Sequence, residues 1–186
     1  MTILASPNPK DAQHARFVWR DEQGCARTAG ALAQALSLGL HQGGSAVIEL
    51  RGTLGAGKTT FTRHLLRALG VEGRIKSPSY AVVESYELPG FTAQHFDFYR
   101  FNDPQEWEDA GFRDLFAAPG LKIVEWPEKA AGLLPAPDLY IDIDMSATSD
   151  TERTVQMAAR GETGRAALTA MQASPSPAET GGSSHD

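Results

Sequence analysis

The chain has 186 residues, 41% of them hydrophobic and 22% charged, ordinary proportions for a globular protein long enough to bury a core without metal or disulfide support. Its one cysteine, Cys25, excludes an internal disulfide, and no apolar run reaches the ~20 residues of a membrane span. A formal net charge of −6 argues against a surface built to grip nucleic acid by its phosphates, so neither a membrane nor strong direct nucleic-acid binding is expected.

Residues 1–12 read as a flexible polar leader, without the basic start and apolar stretch of a signal peptide, which points to the cytoplasm. A single domain is expected over 13–170. His14–Trp19 reads as a first strand, and a helix starting at Asp21 or Glu22 carries Ala29, Leu32, Ala33, Leu36 and Leu40 at helical spacing before ending near Gly39 and Gly43-Gly44. Ala46–Leu50 reads as a buried strand and Thr60–Leu69 as a helix that Gly70 stops. Between them, Gly52-Thr53-Leu54-Gly55-Ala56-Gly57-Lys58-Thr59 fills every fixed position of the phosphate-binding pattern G-x-x-x-x-G-K-[ST]. Its glycines let successive N–H groups turn inward around phosphate oxygens, and the helix beginning at Lys58 aims its positive dipole end at the same point. Lys58 is expected to reach the β/γ-phosphates and the Thr59 hydroxyl to ligate Mg²⁺, while Thr60 faces the helix interior or a neighbouring strand.

Val71–Pro78 is a connection, and Lys76-Ser77-Pro78-Ser79-Tyr80 presents hydroxyls on it because Pro78 keeps Ser77 out of helical geometry. Two readings stand for this loop, a sensor of the γ-phosphate and an ordinary connection. Tyr80–Leu88 and Thr92–Phe98 read as a hairpin around Pro89-Gly90. Asp97, between Phe96 and Phe98, is a carboxylate that orients the attacking water or holds Mg²⁺ through water, or else caps the chain or pairs with Arg100. Asn102-Asp103-Pro104-Gln105-Glu106 starts a helix that Trp107 and Phe112 pack down and Gly111 shortens or breaks. Leu121–Trp126 is a second apolar run ending in an acid, which makes Glu125 the metal-side carboxylate, although spacing alone leaves Glu125 and Asp97 exchangeable. Asp138–Asp144 and Glu152–Ala159 read as a hairpin, with Asp142 and Asp144 on a solvated face and Arg153 either near a nucleotide or in strand pairing. The residues 171–186 have nothing to bury after Ala173 and are expected to be a disordered tail.

These elements predict an α/β phosphate-loop fold with a mainly parallel central sheet, antiparallel edge hairpins and helices on both faces. No N-K-x-D segment for guanine is present, which favours ATP. Hydrolysis is the leading chemistry and a small-molecule kinase using the same loop the alternative; no arginine finger is evident, which implies slow turnover without a partner.

Taken together, Gly52–Phe61, Lys76–Tyr80 (K-S-P-S-Y), Val83–Tyr86 (V-E-S-Y), His95–Arg100 (H-F-D-F-Y-R), Asn102–Glu106 (N-D-P-Q-E) and Ile123–Glu128 (I-V-E-W-P-E) resemble the TsaE family, also called YjeE, over residues 46–140. The resemblance implies a Mg²⁺-dependent ATPase subunit of the bacterial machinery that installs threonylcarbamoyl on the adenosine beside the tRNA anticodon. It would act with TsaB and TsaD, TsaC supplying the activated group, and would reach tRNA only through the complex. It carries Mg²⁺ ligation to Thr59 and Glu125, catalysis to Asp97 with Lys58, nucleotide binding to residues 52–60 and to Ser77 and Ser79, and a place beside the site to Trp126. This sequence departs from the family in having Ser79 where Thr is usual, and Cys25 where a Thr commonly follows the Asp21-Glu22 pair, on the adenine side.

Overall fold

The computed structural model describes residues 13–78, 81–101 and 103–173. The leader at 1–12, the tail beyond 173, Ser79, Tyr80 and Asn102 lie outside the described residues. Strand β1 (Gln13–Trp19) leads into helix α1 (Glu22–His41), whose first turn is capped by Asp21 accepting the Gly24 N–H at 2.8 Å. The helix ends at His41, between Gly39 and Gly43-Gly44. Strand β2 (Ser45–Arg51), the phosphate loop and helix α2 (Lys58–Ala68) follow in the expected order. The hairpin consists of β3 (Val83–Leu88) and β4 (Phe91–Asp97). Its first strand starts later than expected because Val82, at φ 61°, turns the chain before pairing begins. Two short helices, α3 (Pro104–Asp109) and α4 (Phe112–Ala117), are separated at Gly111. The chain then forms β5 (Gly120–Glu125), a 3-10 turn at Pro127–Ala130, β6 (Leu139–Met145), β7 (Arg153–Ala159) and helix α5 (Glu162–Ala173).

All seven strands join one sheet in the order β1-β7-β6-β2-β5-β4-β3. The central β6, β2, β5 and β4 are parallel; β3 pairs antiparallel with β4 at one edge, and at the other β7 pairs antiparallel with both β6 and β1. The mainly parallel sheet with antiparallel edges is therefore as read from the sequence. Alternation along the strands sends side chains to two cores. One face contributes Ile48, Leu50, Ile123, Ile141 and Met157 and is covered by α1, α2 and α5 through Leu32, Leu36, Phe61, Leu65 and Leu168. Trp19 stacks on Phe61 at 5.5 Å between centroids and donates its indole N–H to Thr28 at 2.9 Å, which locks α1 to α2. The other face holds an aromatic cluster of Phe96, Phe98, Phe101, Trp107 and Phe112 around Val124. Among the described residues no helix is long and apolar enough to cross a membrane.

Helix α5 has no counterpart among the predicted elements, and the tail drawn from residue 171 starts inside it. Its beginning, Arg160-Gly161-Glu162-Thr163-Gly164, reads locally as a turn. The glycines serve another purpose: a Cβ at Gly164 would collide with the Asp138 carbonyl, so its absence lets the helix sit directly against the start of β6. Gly164→Ala is expected to lower the unfolding free energy by about 1–3 kcal/mol through overpacking. Gly30→Ala, in α1 where an added Cβ meets nothing within 4 Å, is expected to raise it by about 0.5–1 kcal/mol. Urea denaturation of both variants checks the contrast.

Candidate functional site

The parallel register brings Leu50 of β2 opposite Glu125 of β5, and Glu125 opposite Asp97 of β4, so three strands end at one level. The phosphate loop leaves β2 there. Gly52, at φ 139°, occupies a conformation that side chains rarely adopt, and a Cβ would strike the Ile143 carbonyl of β6. The loop then closes on itself through the Ala56 N–H to the Thr53 carbonyl at 3.1 Å, leaving Leu54 exposed at the tip. Arg153 of β7 donates its Nε–H to the Ala56 carbonyl at 3.0 Å. Arg153 stands in strand pairing, opposite Trp19 and Met145, and its side chain holds the loop's backbone from outside.

Lys58 opens α2 and folds back over the loop, donating to the carbonyls of Gly52 at 2.7 Å and Thr53 at 2.9 Å. Its ammonium also lies 3.8 Å from the ring centroid of Trp126, a cation–π contact. Burial lowers the lysine's pKa, while the Glu125, Glu128 and Asp97 carboxylates pull it back up. Trp126 follows β5 in the left-handed region at φ 57°, and the Tyr99 ring sits 4.9 Å from its indole.

Glu125 is only 2% exposed. Its Oε2 accepts the Thr59 hydroxyl at 2.9 Å, and its Oε1 accepts the His95 imidazole at 2.8 Å and the Thr62 hydroxyl at 3.3 Å. Asp97 has different company: Oδ2 accepts the Ser77 hydroxyl at 2.5 Å and Oδ1 the Tyr99 N–H at 3.0 Å, so it caps the turn after β4. The Asp97 N–H donates to the Val82 carbonyl at 2.8 Å, which ties the Ser77 loop to the same strand end a second time. The two acids that spacing left exchangeable are therefore distinct, one enclosed against the phosphate-loop helix and one partly exposed against the Ser77 loop.

Lys58, Thr59, Ser77, Asp97, Glu125 and Trp126 line one cavity of about 280 Å³. Thr60 lines it too, and also a cavity of about 270 Å³ beyond the loop, beside Trp19, Cys25 and Arg153. Thr60 therefore faces the cavities and not the interior; the buried threonine of α2 is Thr62. Gly55 and Gly57 line both cavities and Ala56 the second, whereas Thr53 lines a larger one of about 790 Å³ on the Glu49, Arg51 and Tyr140 side, where Asp144 also lies. Ser79 lies outside the described residues.

His95 and Thr62 did not emerge as site residues from the sequence. The signals were present: His95 is two residues before Asp97 on one strand, hence on the same face, and Thr62 is one helical turn after Thr59.

The family model described as threonylcarbamoyl adenosine biosynthesis protein TsaE matches residues 20–155. The tRNA threonylcarbamoyladenosine biosynthesis protein TsaE of Haemophilus influenzae is 40% identical over 133 residues, covering 72% of this chain and 82% of that one. The protein of the same name from Bacillus subtilis is 36% identical over 115 residues (62% and 70%), and that from Treponema pallidum 31% over 140 residues (75% and 98%). The crystal structure of Bacillus subtilis YdiB superposes with a TM-score of 0.67 over 87% of this chain and 95% of that one; at 24% identity it is a likeness of fold.

Cys25 is 4% exposed on α1, and burial, with the Glu22 carboxylate adding to it, pushes its thiol up to about 12. A raised thiol pKa keeps the unreactive protonated form as pH rises. Iodoacetamide at pH 9 is expected to leave native Cys25 unmodified and to alkylate it fully in urea, as read by mass spectrometry.

Proposed function

Since this chain belongs to the TsaE family of threonylcarbamoyl adenosine biosynthesis proteins, we propose that it is the ATP-hydrolysing subunit of the tRNA threonylcarbamoyladenosine machinery, working with TsaB and TsaD. The observation that carries the reading is the convergence of Lys58, Thr59, Asp97 and Glu125 on one cavity at the carboxyl edge of a parallel sheet. The donor set suits Mg²⁺. Among the described residues no group of three His, Cys, Asp or Glu side chains is placed to hold a metal ion by itself. One hydroxyl beside one carboxylate matches an ion that keeps several waters and takes further oxygens from phosphates.

Thr59 and Glu125 would hold Mg²⁺, which when bound neutralises charge on the phosphate oxygens. The N–H groups of the loop and the α2 N-terminus receive the phosphates, and Lys58 transfers its donors from the Gly52 and Thr53 carbonyls to phosphate oxygens. Asp97 accepts the proton of the attacking water, and Ser77, bonded to its other side, registers the γ-phosphate. Trp126, in contact with the Lys58 ammonium, reports that transfer. With an acidic chain, tRNA is reached through TsaB and TsaD.

Asp97→Ala is expected to lower ATP hydrolysis by roughly 100-fold or more while leaving ATP affinity nearly unchanged. Phosphate release from labelled ATP, assayed alone and with TsaB and TsaD, checks this; a phosphorylated metabolite in place of free phosphate would establish the kinase reading instead. Addition of MgATP is expected to change tryptophan emission in the native protein and not in Trp126→Phe.

A further inference from the structure

The two oxygens of Glu125 have unlike surroundings. Oε2 meets the Thr59 hydroxyl at 2.9 Å, whereas Oε1 is occupied from two directions, by His95 Nε2 at 2.8 Å and Thr62 Oγ1 at 3.3 Å. His95 has no exposed surface, and its Nδ1 has no hydrogen-bond partner among the described residues. Leaving a buried polar atom unpaired is costly. On this face His95 has Ala93 and Asp97 beside it along β4, Ile123 opposite on β5 and Glu84 opposite on β3, yet the hydrogen bond its imidazole makes is to Glu125. A leucine at this position would bury without a stranded nitrogen. The imidazole is there for its contact with Glu125.

We infer that His95, assisted by Thr62, is a metal-specificity residue: by holding Oε1 it restricts Glu125 to offering a bound cation one oxygen, Oε2, and so selects Mg²⁺ over Ca²⁺. The inference rests on the metal–nucleotide reading of the site. Mg²⁺ is small and demands a near-ideal octahedron, in which a carboxylate contributes a single oxygen; Ca²⁺ is larger, accepts irregular shells and takes both oxygens of one carboxylate. To chelate with both oxygens, Glu125 would have to release His95 and Thr62 together in a buried setting, where broken hydrogen bonds are costly. His95 acts through Glu125 and is a positioning residue.

Calorimetric titration of native protein, His95→Leu and His95→Gln with ATP alone, with Mg²⁺ and with Ca²⁺ tests the role, thermal melts confirming the fold. A glutamine amide places an N–H close to where Nε2–H lies. In the native protein Mg²⁺ is expected to raise ATP affinity more than Ca²⁺ does. In His95→Leu the Mg²⁺ gain should fall about tenfold with the Ca²⁺ gain and the metal-free affinity retained, and His95→Gln should recover the preference. An unchanged Mg²⁺/Ca²⁺ ratio in His95→Leu overturns the inference, as does an equal loss in all three conditions that glutamine does not repair. Should His95→Leu fail to fold, His95→Gln against His95→Asn, whose shorter amide falls short of Glu125, makes the same comparison. Native protein that binds ATP without any metal-dependent gain rejects the metal–nucleotide reading, and the inference falls with it.

Discussion

A carboxylate enclosed to 2% exposure at the end of a central strand has to be surrounded by donors before the chain can close over it. Glu125 meets that requirement with groups from two other elements, the hydroxyls of Thr59 and Thr62 on α2 and the imidazole of His95 on β4. The constraint reaches far beyond one side chain. It requires β4 to lie beside β5 in the register that sets Asp97 against Glu125, and α2 to cross that face with its first turn at the strand ends. A slip of either strand by one residue would turn His95 to the opposite face and leave a buried charge without its partner.

The apolar cores hold this arrangement in place. Phe61, Leu65 and Leu66 press α2 onto the Ile48 and Ile123 face, which fixes the direction in which the helix N-terminus points. The aromatic cluster on the other face grips β4 and β5 from behind through Phe96 and Val124. The two acids thus project from a sheet packed on both sides, and the phosphate loop is gripped at both ends: at Gly52 by its close approach to β6, and at Ala56 by Arg153 reaching over from β7. At the rim of the site Leu54 and Tyr99 are exposed.

What could be read from the sequence was whatever announces itself locally. The phosphate loop does so by fixed residue types, the helix before it by the Asp21 cap and its apolar spacing, and the strands by alternation between turn signals. The acids could be found but not distinguished, since strand order, which puts Glu125 against α2 and Asp97 against the Ser77 loop, is not a local property. Helix α5 was missed because its opening glycines look like a turn until the Asp138 backbone is seen lying where a Cβ would be. His95 was passed over for a related reason: a histidine within a strand has no role until it is known which residue stands across from it.

The departures from local rules gather in one place. Val82 and Trp126 are the two residues other than glycine with positive φ, among those described, and both flank the strand ends that carry Asp97 and Glu125. Such conformations cost roughly 1–3 kcal/mol each and persist only where surrounding structure imposes them. Each has an evident geometric result. The turn at Val82 offers its carbonyl to the Asp97 N–H, and the turn at Trp126 lays the indole beneath the Lys58 ammonium. A chain selected for stability alone would replace the buried Lys58, the enclosed Glu125 and the His95 imidazole bonded to it with apolar side chains, since buried charges seldom repay their desolvation. Lys58 and Glu125 line one cavity and His95 stands behind Glu125, so these three costs of burial converge on the cavity where the three strands end.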